Sequence, residues 1–271
     1  MPLRLDPTFR DALTDADRPL IGMWLSTGSP LLAEICAGSG IDWLLIDMEH
    51  GPNTLTTVQQ QLQVIAAYPV TAVVRVPFND PVIIKQVLDT GAQNLLVPMV
   101  ASAAEARAAV AAVRYPPEGV RGVGSALARS SRWARVARYV QDAATTVSLI
   151  VQIESTDAVE HAAEIAAVDG VDGVLVGPAD LSASMGLPGQ QDHPEVVAAV
   201  HRVFEAAHAA GKRAGVNAFD PAAADAYLAA GADFLSASAD VTLLARGSEA
   251  LAARFIPASG ATGSGGATDT Y

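Results

Sequence analysis

Two acidic residues of this chain each close an aliphatic run: Glu154 follows Val147–Ile153, and Asp180 follows Val171–Val176 through Gly177-Pro178-Ala179. A carboxylate at the end of a buried segment is costly unless something pairs with it. A divalent cation would do so, and two carboxylates completed by water and substrate oxygens make a hard-ligand site. Such a site suits Mg2+, Mn2+ or Co2+ better than structural Zn2+, which prefers Cys and His. The alternative for both residues is a bond to Arg or to backbone amides. Asp47 and His50 follow another aliphatic run, in Leu44-Leu45-Ile46-Asp47-Met48-Glu49-His50. An Asp so placed can hold an imidazole in one tautomer and raise its basicity, which makes a general base near neutral pH. Arg75 ends a third run, and Trp24 and Gln152 lie near the ends of two more.

The lysine count decides which carbonyl chemistry is open to such a site. A Schiff base needs a desolvated lysine beside the substrate. The chain has only Lys85 and Lys212. Helical periodicity places Lys85 inside a helix, and Lys212 precedes a strand, at the end opposite the acidic residues. A metal ion must then be the electron sink.

The elements that position these residues are short aliphatic strands alternating with Ala-rich helices. The expected strands are Ile21–Leu25, Trp43–Asp47, Thr71–Arg75, Asn94–Pro98, Val147–Ile153, Gly173–Val176, Arg213–Val216 and Phe234–Ala237. Helical periodicity covers Pro30–Ala37, Leu55–Ala66, Pro81–Thr90, Ser102–Val113, Thr156–Ala167, Pro194–Ala210, Pro221–Ala230 and Val241–Arg254. Eight β-then-α units predict a parallel sheet closed into a (β/α)8 TIM barrel over residues 1–257, with catalytic groups at the carboxyl ends of the strands. A small phrase recurs at helix ends, as Ala-Gly-Ser-Gly-Ile-Asp at 37–42, Asp-Thr-Gly-Ala at 89–92 and Ala-Ala-Gly-Ala-Asp at 229–233. It reads as a set of αβ turns with Gly at the stop. Tyr115–Asp142 is an irregular insertion with Pro116-Pro117 and five Arg, and residues 258–271 read as a disordered Gly/Ser-rich tail. Gly122-Val123-Gly124 lacks the third glycine and the strand-to-helix context of a dinucleotide fingerprint, so no nucleotide cofactor is expected.

Composition narrows the partners. The formal charge is −12, and no Lys/Arg stripe of the kind that binds phosphate backbones is present. No run is long enough for a membrane span, and the N-terminal residues lack a signal-type apolar core. Cys36, the single cysteine, sits in an apolar helical context and reads as a packing residue. The expectation is a cytoplasmic enzyme without nucleic-acid or membrane partners.

At these residues the chain resembles the class II, metal-dependent pyruvate aldolases that act on 4-hydroxy-2-oxoheptanedioate and 2-dehydro-3-deoxyglucarate. The matching stretches are Asp42 through His50, Val74-Arg75-Val76-Pro77, Leu96-Val97-Pro98-Met99-Val100, Arg114-Tyr115-Pro116-Pro117 through Arg121-Gly122-Val123-Gly124, Val151-Gln152-Ile153-Glu154 and Gly177-Pro178-Ala179-Asp180-Leu181-Ser182. They span most of the chain from Gly22 to Phe255. The resemblance implies reversible aldol addition between pyruvate, or a close 2-oxo acid such as hydroxypyruvate, and an aldehyde. Glu154 and Asp180 would ligate the metal, with pyruvate chelating through a carboxylate oxygen and its keto oxygen. Arg75 would stabilise the enolate, and His50 paired with Asp47 would move the proton. Trp24, Gln152, Gly177, Pro178 and the Ala179 amide would line the 2-oxo acid. The resemblance further implies a homo-hexamer, a dimer of trimers, that exchanges C-terminal helices and brings Asp89 to a neighbouring subunit's site. The stretch Val216-Asn217-Ala218-Phe219, near the expected aldehyde entrance, departs from the family's pattern. Two other readings compete: a citramalyl- or malyl-CoA type lyase, with Arg129–Arg138 as the groove for the CoA phosphates, and a non-catalytic barrel that binds a 2-oxo acid.

Overall fold

The computed structural model describes residues 3–257; the tail expected to be disordered lies outside them. In chain order the elements are α1 (Phe9–Asp15), β1 (Leu20–Leu25), α2 (Pro30–Ala37), β2 (Trp43–Asp47), α3 (Leu55–Ile65), β3 (Thr71–Arg75), α4 (Pro81–Asp89), β4 (Asn94–Val97), α5 (Ala103–Val113), α6 (Tyr139–Asp142), β5 (Ser148–Ile153), α7 (Thr156–Glu160), α8 (Ala162–Ala166), β6 (Gly173–Val176), α9 (Pro178–Ser184), α10 (Pro194–Ala209), β7 (Arg213–Asn217), α11 (Pro221–Ala229), β8 (Phe234–Ala239) and α12 (Asp240–Phe255). All eight strands are parallel, each pairs with the next, and β8 closes on β1. The fold is a TIM barrel. Asp47 and Arg75 face each other in register at the ends of β2 and β3.

Two apolar layers hold it together. One lies between strands and outer helices; the other fills the barrel with Trp24, Leu45, Val73, Leu96, Ile150, Leu175, Trp43 and Phe234. Large and small residues interlock there. A Cβ on Gly22 would strike the Trp43 ring, and one on Gly215 would strike Phe234, so glycines on β1 and β7 leave the room that the two rings fill. The helix α1 seals the amino-terminal end of the barrel. Thr8 and Asp11 form a reciprocal capping box, and Phe9 packs on Trp43 and Phe234 at ring distances of 5.3 Å. Burial of Phe9 and Leu13 contributes about 1.5–3 kcal/mol each. This helix was not expected from the sequence, where it is seven residues among mixed charges.

The recurring turn phrase has a structural purpose. Each even-numbered strand starts at an Asp or Asn that grips the odd strand before it. Asp42 accepts from Ile21 N at 2.9 Å, Asp172 from Leu149 N at 2.8 Å and Asp233 from Ala214 N at 2.8 Å, while Asn94 donates to Ala72 O at 2.8 Å. A glycine in the left-handed region precedes each one: Gly40, Gly91, Gly170 and Gly231, with φ between 87° and 100°. The Gly170 copy was not apparent in the sequence. These clamps lie at the end of the barrel where the strands begin, which leaves the other end to carry the chemistry.

The expected strands match within two residues. The helical span Thr156–Ala167 is broken at His161 (φ −97°, ψ 8°) into α7 and α8. The short α9 was not expected; Pro at its first position and Gly177 as its cap start it immediately after β6.

Candidate active site

Arg75 is the centre of the mouth. Its side chain is 4% exposed. Nε donates to Asp47 Oδ1 at 2.9 Å, and Nη1 lies 2.6 Å from Glu49 Oε2, a close ion pair off the hydrogen-bond direction. The Trp24 ring lies 4.1 Å from the guanidinium carbon, a stacking geometry that favours the cation. Trp24 in turn donates its indole N–H to Asn217 Oδ1 at 2.9 Å. Among the described residues Nη2 of Arg75 has no hydrogen-bond partner.

Asp47 does not orient the His50 imidazole, as the sequence suggested. Its Oδ1 collects Arg75 Nε, the Glu49 amide at 3.0 Å and the His50 amide at 3.3 Å. The register explains this: Asp47 points into the barrel beside Arg75, whereas His50 is exposed on the loop beyond. That loop is pinned by Asn53, whose Nδ2 donates to Asp47 O at 2.7 Å and Leu25 O at 3.2 Å. Glu49 had no role in the sequence reading. Burial raises its pKa above the ordinary carboxylate range, and Asp47 and Asp180 add to that, while Arg75 and His50 oppose it.

Glu154 ends β5 and is buried. Its Oε1 accepts the Met99 amide at 2.7 Å, and Gln152 Nε2 donates to Oε2. Met99 sits in the left-handed region (φ 55°), an unusual conformation for a non-glycine residue and worth a functional reading. Burial pushes the Glu154 carboxyl up to about 7, with Glu49 and Asp180 adding to the rise. Asp180, third residue of α9, is exposed, and no hydrogen bond to its carboxylate is found among the described residues. Gly177 supplies the space between: a Cβ there would lie 2.9 Å from Gln152 Nε2 and 3.0 Å from Glu154 Oε2. Gln152 Oε1 is buried without a partner.

This donor set suits a divalent cation. Asp47 and Glu49 pair with Arg75, and Glu49, Glu154 and Asp180 lie close enough to act on one another electrostatically. Burial, with Glu49 and Asp180 adding to it, lifts Glu154 to about 7, and a bound cation would offset that cost of holding the carboxylate charged. Among the described residues no three His, Cys, Asp or Glu side chains form a metal cluster, so two carboxylates would need oxygens from outside the protein to complete the shell.

Other nominated residues lie elsewhere. Asp89 ends α4, near the strand starts, and pairs with Arg121 at 3.3 Å; within one protomer it is remote from the mouth. The Arg-rich loop packs at the same lower level. Arg129 donates to Thr90 O at 3.0 Å, and Arg132 to Arg129 O at 2.8 Å. These arginines are committed to local backbone and do not line a phosphate groove at the mouth. Lys212 donates to Val171 O at 2.7 Å, below β6, and Lys85 lies within α4. Cys36 is partly buried, and burial raises its thiol pKa, which suits packing rather than nucleophilic attack. No helix among the described residues is long and apolar enough to cross a membrane.

A TIM barrel with convergent carboxylates and one clamped arginine at the carboxyl ends of its strands is enzyme architecture. Residues 20–247 match the model of the HpcH/HpaI aldolase/citrate lyase family, and the chain belongs to that family. It is 56% identical over 247 residues to a 4-hydroxy-2-oxo-heptane-1,7-dioate aldolase of Salmonella typhimurium, covering 91% of this chain and 94% of that one. A Burkholderia cenocepacia family member superposes with a TM-score of 0.86 at 43% identity, over 89% of this chain and 96% of that one. An HpcH/HpaI aldolase of Desulfitobacterium hafniense gives 0.83 at 32%, over 92% and 98%.

Proposed function

We propose that this chain is a lyase that cleaves 4-hydroxy-2-oxo acids to pyruvate and an aldehyde, and joins them in reverse, with a divalent ion held by Glu154 and Asp180. The observation that supports it most is the clamped Arg75 facing a buried carboxylate whose pKa is lifted to about 7. The Salmonella relative, similar over nearly the whole chain, carries the name of this activity.

The metal, when bound, supplies Lewis-acid polarisation of the ketone. The protein supplies the rest. Arg75 offers its unpaired Nη2 where negative charge gathers on the keto oxygen, and its clamp avoids reorganisation during the reaction. In cleavage, a base takes the proton of the 4-hydroxyl, the C3–C4 bond breaks, and its electron pair moves toward the keto oxygen. The aldehyde departs, and C3 of the enolate takes a proton to give pyruvate. His50, exposed at the mouth, is the proton carrier. Gln152 steadies Glu154. Gly177, Pro178 and the first-turn amide of Ala179 border the 2-oxo acid, with Trp24 behind Arg75.

The assembly in this proposal is a dimer of trimers that exchanges α12. Along that helix Val241, Leu243, Leu244, Leu251 and Phe255 are 41–69% exposed, and only Asp240 is buried. Such a face asks for a partner surface, and assembly would carry Asp89 to a neighbouring mouth. The test of the function is exchange of pyruvate methyl protons in deuterated water by the metal-loaded enzyme, alongside cleavage of 4-hydroxy-2-oxo acids. Exchange with cleavage supports the aldolase; pyruvate binding without exchange supports a sensor and overturns it.

A further inference from the structure

We propose that Asn217 is a positioning residue for Arg75, acting through the Trp24 indole; the inference rests on the enolate-stabilising role given to Arg75 above. Two ion pairs fix the edge of the guanidinium, through Nε and Nη1. They leave rotation of the group about that edge to be settled by what lies on its face. That face is Trp24, 4.1 Å away. An indole has one polar atom, the donor Nε1–H, so its hydrogen bond decides which way the ring turns. Trp24 is 6% exposed, and the acceptor it finds is Asn217 Oδ1 at 2.9 Å, reaching from the end of β7 past β8. Remove that oxygen and a buried donor is orphaned. Recovering a partner means turning the ring, and a turned ring no longer backs the cation.

A competing role is direct contact with the aldehyde, since Asn217 Nδ2 has no hydrogen-bond partner among the described residues. The donor half-reaction separates the two, because methyl proton exchange of pyruvate involves no aldehyde.

The experiment compares wild type, Asn217→Leu, Trp24→Phe and the double variant by pyruvate proton exchange in deuterated water with Mn2+ present. Asn217→Ala replaces Asn217→Leu if the latter does not fold. Asn217→Leu is expected to lower the exchange kcat about tenfold, the effect of losing roughly one hydrogen bond's worth of orientation, with a smaller change in the KM for pyruvate. In the Trp24→Phe background the same change should alter the rate by less than about twofold, because the two residues act as a unit. In metal-free protein, ultraviolet resonance Raman should show one indole of Asn217→Leu with a weakened hydrogen bond. Equal effects in both backgrounds overturn the inference. So does unchanged exchange with impaired cleavage, which would place Asn217 against the aldehyde. A wild type that shows no exchange at all would instead remove the reading of Arg75 on which the inference stands.

Discussion

Glu154→Gln should stabilise the metal-free protein at pH 8 and destroy its activity. The folded carboxyl titrates at about 7 against an ordinary 4.5, because burial and the neighbouring Glu49 and Asp180 disfavour its charged form. A folded value above the unfolded one means that folding favours the proton. Wild-type stability from this group is therefore full below pH 4.5, declines as pH rises, and reaches its floor above about 7. The gap corresponds to about 3 kcal/mol at most. Glutamine keeps the shape and the acceptor for the Met99 amide. Its new NH2 can meet Gln152 Oε1, now buried without a partner, once the Gln152 amide turns over. Urea unfolding in chelator, at equal protein concentration, would read the difference: Glu154→Gln more stable by up to about 3 kcal/mol at pH 8 and nearly equal to wild type at pH 4.5. A variant less stable at pH 8, or a difference independent of pH, would refute the claim that this carboxylate is held charged at a cost.

Three further perturbations address separate parts of the account. Gly177→Ala puts a methyl 2.9 Å from Gln152 Nε2 and 3.0 Å from Glu154 Oε2; with φ −101° there is no backbone strain, so the chain should fold but bind Mn2+ at least about tenfold more weakly by calorimetry. Arg75→Lys keeps the charge but not the fork that meets Asp47 and Glu49, and kcat/KM for aldol cleavage should fall about 10²–10³-fold. Asp233→Ala removes the acceptor of Ala214 N, Arg213 and His208 at the opposite end of the barrel; it should cost about 1–3 kcal/mol in urea unfolding and leave the kcat of cleavage unchanged.

The barrel was legible because its periodicity is repeated eight times, and five of the strand ends carried a functional side chain after an aliphatic run. Asp47, Arg75, Gln152, Glu154 and Trp24 could thus be placed at one end. Which of them touch was not legible. Spacing suggested that Asp47 holds His50, but cross-strand register joins Asp47 to Arg75, and register is a property of the closed sheet. Glu49 was visible beside them, yet its role as the second arm of the clamp depends on where Arg75 turns. Met99 gave no signal, since nothing in a Pro-Met-Val sequence announces a left-handed amide aimed at a carboxylate. The helix α1 was missed because its stability comes from Trp43 and Phe234, which lie far away in sequence. Asp89 reads as a site residue only through the family resemblance; inside one protomer its partner is Arg121.

The direct measurement is calorimetric titration of Mn2+ into metal-free wild type, Glu154→Gln and Asp180→Asn at pH 8. One high-affinity site per chain in the wild type, lost in both variants while each remains folded, is the predicted result. Undiminished binding in either variant would contradict a metal centre built on these two carboxylates.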